Sequence, residues 1–315
     1  MNLLTYFYTL LWMKVSPYPR FDPLDIEMQS AIQPRLSTLK DGISEFTFAN
    51  LYLFRKKYRY TVSSLPGDQF IFSGEENGKK FFLLPSGIPE KEILDEMFKS
   101  HDCIKCLPES SANQGRVLLE QDGYCVVEDR DNFDYIYCRR ELAQLPGRKY
   151  HKKRNLVNAF INNYTYEEMP LTAERKKDAL NILKEWAQEK GGDGDYEAAE
   201  EGLEKMDILK LCGYVYYVDG RPAAYILGEE IARGKMFAVH FEKALSGYKG
   251  LYQFINKSFA SILPHHYRYI NREQDLGDDG LRQAKMSYRP CGFIKKYRVY
   301  RSEECPSLVF KDTKM

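Results

Sequence analysis

Met236-Phe-Ala-Val-His-Phe-Glu242, Ser246-Gly-Tyr-Lys-Gly250 and Tyr267-Arg-Tyr-Ile-Asn271 are the stretches whose reading decides the fold. The first and third alternate or run apolar like core strands, and the second is a glycine turn leading into a helical pattern that begins near Leu251. A charged loop, Arg272-Glu-Gln-Asp-Leu-Gly-Asp278, then precedes a helical block, Leu281-Arg-Gln-Ala-Lys285-Met-Ser-Tyr288-Arg-Pro290, and a last strand ending near Arg301. Strand, turn, helix, strand, loop, helix and strand in this order describe an α/β unit. The free N–H groups of a helix starting at Leu251 point into the glycine turn, where such helix starts attract phosphate. Polar residues at the carboxyl ends of core strands are where α/β sheets commonly build sites.

Upstream of that unit, the patterns predict a hairpin over 212–218 and 223–230 that turns at Asp219-Gly220. Before it come helices over 148–164, 171–190 and 196–209. The first half predicts a helix over 22–40, a second helix capped by Ser44 and running through Arg55, and strands over 58–62, 69–72 and 80–84. The last two strands are joined by the turn Glu75-Glu-Asn-Gly78. A helix over 89–100 and short strands around Val117, Cys125 and Tyr135 follow, before the breaker Pro146-Gly147. That breaker divides an N-terminal extension (1–18) and a first domain (19–147) from a second domain (148–315). Both halves run helices, hairpin, helix, which suggests a structural duplication.

The chain has 315 residues, 43% hydrophobic and 29% charged, with 24 Tyr and 18 Phe, enough for a substantial core. Its net charge of +1 gives no overall drive toward nucleic acid or acidic membranes. The seven cysteines are odd in number and scattered, which argues against a secreted disulfide framework and for a cytoplasmic setting. Cys103-Ile-Lys-Cys106 is a lone CxxC, read as two small buried residues on a short strand; no metal site is expected. The opening Met1-Asn-Leu-Leu-Thr-Tyr-Phe-Tyr-Thr-Leu-Leu-Trp-Met13 is apolar but shorter than the roughly 20 residues that span a bilayer. No integral membrane segment is expected, which leaves peripheral contact as the membrane alternative.

Two groups of residues carry candidate chemistry. Arg148, Lys149, Lys152, Lys153 and Arg154 open a helix whose later face is apolar (Leu156, Phe160, Tyr164), so its basic end could collect phosphate or carboxylate groups. The alternative is a solvated charge run. In the carboxy-terminal unit Asp278 and Asp279 cap a helix that turns Lys285 inward, beside Tyr288. A counter-charge from Glu242, Glu273 or Asp275 would also make a general base next to an amine, with structural ion pairing as the alternative. Asn271 and Arg272 complete the cluster. His240 reads as a core residue on its strand.

Several blocks in order resemble one bacterial family. They are Tyr150-His-Lys-Lys-Arg-Asn155, Phe241-Glu-Lys243, Tyr248-Lys-Gly250-x-Tyr252-Gln253, Tyr269-Ile-Asn-Arg-Glu273-x-Asp275-x-Gly277 and Gly280-Leu-Arg-x-Ala-Lys285-x-Ser-Tyr288-x-Pro290, with Ser44-Glu-Phe-x-Phe-x-Asn50-Leu-Tyr early in the chain. Together they resemble the family grouped with the phosphatidylglycerol lysyltransferase carboxy-terminal domain, over nearly the whole chain after about Pro19. The resemblance implies an α/β (α+β) fold of two tandem GNAT-like domains, each a mixed, mainly antiparallel sheet flanked by helices. It also implies transfer of an acyl or aminoacyl group, from an acyl-CoA or aminoacyl-tRNA donor, to an amine or hydroxyl of a small molecule or other acceptor. In GNAT enzymes the turn after the fourth strand holds pyrophosphate through an Arg/Gln-x-x-Gly-x-Gly/Ala pattern. Gly247, Tyr248, Lys249 and Gly250 stand there, but without the leading basic or amide residue and with Tyr252 at a small-residue position. Glu242, Glu273, Lys285 and Tyr288 are the expected catalytic residues. Lys149, Lys152, Lys153, Arg154, Asn271, Arg272 and Asp275 are expected to bind substrate. The other reading is a non-catalytic binding or regulatory protein that keeps the fold.

Overall fold

The computed structural model describes residues 15–191 and 194–306, so the apolar opening 1–13 lies outside the described residues. Among the described residues fourteen strands form two seven-stranded sheets. Those of the first half are β1 (Asp22–Pro23), β2 (Thr61–Leu65), β3 (Gln69–Glu76), β4 (Lys79–Leu83), β5 (Cys103–Pro108), β6 (Tyr124–Glu128) and β7 (Asp134–Cys138). Those of the second are β8 (Tyr166–Pro170), β9 (Cys212–Val218), β10 (Arg221–Ile231), β11 (Met236–Ala244), β12 (Tyr269–Asn271), β13 (Gly292–Ile294) and β14 (Lys296–Arg301).

The sheet orders are β1-β2-β3-β4-β5-β14-β6 and β13-β7-β12-β11-β10-β9-β8. Within each sheet the strands pair antiparallel except at one junction, β4 with β5 and β11 with β12. Each parallel junction is crossed by a helix, Lys91–Met97 in one half and Leu251–Ile262 in the other, as parallel neighbours require. The halves therefore repeat one plan. They also exchange a strand: β14 enters the first sheet between β5 and β6, while β7 enters the second between β12 and β13. The chain thus crosses from one sheet to the other on both sides of Pro146-Gly147.

Apolar spacing explains where the layers meet. On the helix Leu251–Ile262, residues Leu251, Phe254, Ile255 and Phe259 recur at helical period and pack with Phe160, Tyr216 and Phe237 beneath the second sheet. Ile71, Phe82, Leu94, Met97 and Val299 fill the corresponding layer of the first. A third cluster bridges the halves, with Phe48, Leu51 and Leu53 of the helix Phe48–Leu53 packing among Leu203, Leu227 and Phe241.

Some local expectations change. Ser44 does not cap a helix; Thr47 does, accepting from the Asn50 amide at 3.0 Å, because the Ser44 hydroxyl is drawn to Asp134 at 2.9 Å. Val117 lies in the helix Glu109–Gln121, not a strand: Ala112 and Leu119, two turns apart, are its buried face, and Val117 points outward. Cys103 and Cys106 are both buried on β5. Cys125 and Cys305 form a disulfide across 180 residues. Cysteine spacing did not point to this pairing, because the two residues become neighbours only when β14 joins β6.

Candidate active site

A cavity of about 830 Å³ opens along the seam between the halves. The second half supplies His240 and Glu242 on β11, Arg272 and Glu273 just after β12, Lys285 on the helix Asp279–Met286, and Tyr288. The first supplies Asn50, Lys57, Tyr58 and, from the middle of β5, Lys105 and Cys106. β11 does not run regularly here. Leu227 of β10 faces Phe241 and Gly228 faces Val239, so His240 is the extra residue of a bulge. His240 and Glu242, two residues apart on this strand, share the cavity wall; His240 is buried, as its core reading expects, but it is paired there with two carboxylates.

The two candidate bases are held alike. Glu242 Oε1 accepts from Asn256 Nδ2 at 2.8 Å and Arg272 Nη2 at 3.0 Å. Glu273 Oε1 accepts from Asn50 Nδ2 at 3.2 Å and faces His240 Nδ1 at 2.7 Å. Among the described residues neither Oε2 has a hydrogen-bond partner, so each carboxylate is fixed by one oxygen and keeps the other. Glu273 also has φ +56°, a left-handed backbone that costs energy for a non-glycine residue. Its amide donates to Asn271 Oδ1 at 2.7 Å, and its carbonyl accepts from the Tyr135 amide at 3.1 Å.

Lys285 Nζ donates to the Arg272 and Gln274 carbonyls at 2.6 and 2.5 Å. Burial lowers its ammonium to about 8; Glu273 opposes that change and Arg272 adds to it. Lys153 reaches the same wall, 3.7 Å above the Tyr288 ring, and burial followed by Arg272 lowers it to about 8 as well. The Tyr288 hydroxyl is raised, chiefly by burial, so it keeps its proton. At the other end Lys243 lies 3.8 Å over Trp186 and 2.5 Å from Asp195.

The four expected catalytic residues, Glu242, Glu273, Lys285 and Tyr288, thus meet at one cavity, joined by Lys153 and Arg272. The other expected residues stand outside its lining. Lys149 falls in the 3-10 turn before the helix His151–Asn163, off the Lys153 stripe, and pairs with Glu141 at 2.7 Å. Lys152 is exposed, and Arg154 donates to the Leu145 and Gly147 carbonyls. Asn271 donates to Gly42 O at 2.9 Å and Asp134 at 3.0 Å, shaping the loop. Asp275 is fully buried against Arg282, Arg130 and Tyr135. Although burial opposes it, these bonds hold its carboxyl far below the usual range.

The glycine turn is also outside. The Ser246 amide donates to Glu189 Oε2 at 2.9 Å and the Lys249 amide to the Tyr164 hydroxyl at 3.4 Å. Gly250, at φ +89°, packs where a Cβ would strike the Leu156 carbonyl oxygen. Glu189, Tyr164 and Leu156 thus stand around the turn in which a phosphate was expected, while the amides of Gly247, Tyr248 and Gly250 have no hydrogen-bond partner among the described residues.

Sequence reasoning missed His240, Glu229, Asn50, Trp186 and a second buried cluster. In that cluster Lys296 of β14 bonds both Glu45 and Asp134 (2.7 Å to the latter), and Cys106 Sγ lies 3.3 Å from Glu45. Among the described residues no group of three or more His, Cys, Asp or Glu is arranged to hold a metal ion, and no helix is long and apolar enough to cross a membrane.

The family model for the C-terminal part of phosphatidylglycerol lysyltransferase matches residues 36–300. A conserved protein of unknown function from Bacteroides thetaiotaomicron is 30% identical and superposes with a TM-score of 0.78, over 89% of this chain and 99% of that one. L-PGS from Bacillus licheniformis is 15% identical with a TM-score of 0.60, over 91% of this chain and 94% of that one, a likeness of fold. A protein of Mycoplasmoides gallisepticum is 27% identical over 58% of this chain, and the match spans only 60% of that relative's length. Two duplicated mixed sheets, the cavity at their seam and a family match over most of the chain agree: this is a tandem GNAT fold, and the chain belongs to the phosphatidylglycerol lysyltransferase C-terminal family.

Proposed function

We propose that the protein is a transferase that moves an aminoacyl or acyl group from an activated donor, an aminoacyl-tRNA or acyl-CoA type, to an amine or hydroxyl acceptor. The observation that carries this reading is the meeting of Glu242, Glu273, Lys285 and Tyr288 at one cavity, with a free oxygen on each carboxylate. Each carboxylate is paired on one oxygen, Glu242 with Arg272 and Glu273 with His240; we take Glu273 as the base because it lies beside Lys285, the group that would steady the oxyanion. In the proposed step the acceptor nitrogen or oxygen attacks the donor's carbonyl carbon and passes its proton to Glu273 Oε2. Lys285 and the Arg272 region steady the developing oxyanion. The carbonyl–oxygen (or carbonyl–sulfur) bond then breaks, and Tyr288 or Lys285 supplies the leaving group's proton. Lys153 suits a donor phosphate, and Lys57 is a second cation without a carboxylate partner among the described residues. A cytoplasmic setting belongs to this reading, since both donor types are made there.

Within the reading, an aminoacyl ester fits better than acetyl-CoA. The amides of Ser246 and Lys249 are already engaged, and Tyr252 fills the turn's far side against Trp186, 3.2 Å from hydroxyl to indole nitrogen. The same observations support the second reading, a binding protein that keeps the fold without the chemistry. A single-turnover assay with labelled aminoacyl-tRNAs and acyl-CoAs separates the two. Transfer that E273Q abolishes while donor binding persists supports the transferase. Donor binding without transfer supports the binding protein, and failure of every donor to bind or raise the melting temperature overturns the transferase reading.

A further inference from the structure

His240 lies between two carboxylates. Its Nε2 is 2.9 Å from Glu229 Oε1 and its Nδ1 2.7 Å from Glu273 Oε1. The imidazole side chain is 1% exposed, and Glu229 behind it 5%. Ionised carboxylates only accept hydrogen bonds, and a neutral imidazole donates from one nitrogen only. Both contacts are hydrogen bonds to ionised carboxylates only when the ring carries both protons.

We propose that His240 is a positioning residue of this site: a buried imidazolium, anchored from behind by Glu229, that keeps Glu273 ionised and turns its second oxygen to the substrate. The assignment of Glu273 as base rests on the transferase reading above; the charge arrangement does not. The Glu229–His240–Glu273 row carries a net single negative charge, so the proton that Glu273 takes from an acceptor brings the row to neutrality. Without the imidazolium, two carboxylates would share a dry site and one would hold a proton at neutral pH. The base would then be occupied before substrate arrived. The ring lies between β10 and the loop after β12 because β11, which carries it at the bulge, is the strand between them.

Groups on every neighbouring element bear on this row. Glu229 comes from β10, Arg272 and Glu273 from the loop after β12, Lys285 from the helix Asp279–Met286 and Tyr58 from the helix Arg55–Tyr58. Burial would lower the His240 imidazolium, yet the two carboxylates outweigh it and raise the ring to about 10, in line with the geometry.

The test titrates the full-length protein by NMR with ¹⁵N-labelled histidine and ¹³C-labelled glutamate, assigned through H240N and E273Q. The expected result is an imidazolium at His240 through pH 8, a Glu273 carboxyl that titrates about 1–3 pH units higher in H240N than in the wild type, and a return toward the wild-type value in E229Q/H240N. A merely structural histidine gives no such rescue. If H240N does not fold, E229Q decides, with His240 assigned through its response to E273Q: His240 should titrate at lower pH in E229Q than in the wild type. A His240 that titrates near 6.5 in the wild type, or a Glu273 titration unchanged by H240N, overturns the proposal. None of these measurements needs turnover, so an inactive protein with these titrations sinks the transferase reading alone. With an active donor, the acid limb of kcat/KM in H240N should move up by the same interval.

Discussion

The Lys153 ammonium stands 3.7 Å above the centre of the Tyr288 ring. The ring's negative face offsets part of what burial costs the charge, but Lys153 still drops to about 8 because of burial and then Arg272. In the unfolded chain a lysine titrates near 10.4. Between about pH 8 and 10 the folded protein therefore binds fewer protons than the unfolded one, and stability from this group rises with pH across that window. Below it, the cost of the buried charge is constant. Lys153→Met should raise the melting temperature at pH 7, reduce the stability gain between pH 8 and 10 to the part that Lys285 supplies, and weaken binding of inorganic polyphosphate. Thermal melts across pH and a binding titration check all three.

Gly250 and Gly247 lie in the same turn but differ in what surrounds them. A Cβ at Gly250 meets the Leu156 carbonyl at φ +89°, whereas one at Gly247 meets nothing within 4 Å. Gly250→Ala should cost about 1–3 kcal/mol in urea unfolding, and Gly247→Ala should be close to neutral. If Gly247→Ala instead abolished donor binding at unchanged stability, the turn would have to be a ligand site after all.

Lys296 is the cation of a buried cluster with Glu45 and Asp134, inside the exchanged strand. Removing one member of a buried pair leaves uncompensated charge, so Lys296→Met should cost about 3–5 kcal/mol. Combining it with Glu45→Gln and Asp134→Asn should recover a good part of that loss, read as the urea midpoint.

The Cys125–Cys305 bond clasps β6 to the turn that follows β14. Reduction should lower stability, by up to about 2–4 kcal/mol, and the Cys125→Ser/Cys305→Ser variant should melt at one temperature with or without reductant. A wild-type protein insensitive to reductant would mean that the ladders of β14 alone hold the clasp.

Much of the second half was legible because its signals are local. Asp278 caps its helix through the Leu281 amide at 2.6 Å, the hairpin turns at Asp219-Gly220, and the helix begins at Leu251, all as periodicity and turn chemistry predict. Lys285 and Tyr288 could be read as inward-facing for the same reason. What stayed hidden depends on partners far away in the chain. Asn50 reaches Glu273 across 223 residues and Ser44 reaches Asp134 across 90. The pairing of His240 stayed hidden likewise, because Glu229 and Glu273 meet it only when β10 and the loop after β12 flank β11. The surroundings of the glycine turn stayed hidden because its pattern is local, while the groups that engage it, Glu189 and Tyr164, lie far away in the chain.

The strand exchange sets an order of assembly. Tyr297 of β14 bonds Glu128 of β6 across 169 residues of sequence, so on a translating ribosome the first sheet must wait with a gap between β5 and β6 until almost all of the second has been made. Meanwhile β7, already synthesised, belongs to a sheet that does not yet exist. Vectorial folding, first domain before second, is closed to this architecture. Neither half should survive alone when cut at the Pro146-Gly147 breaker, and fragments expressed separately should become soluble only when supplied together.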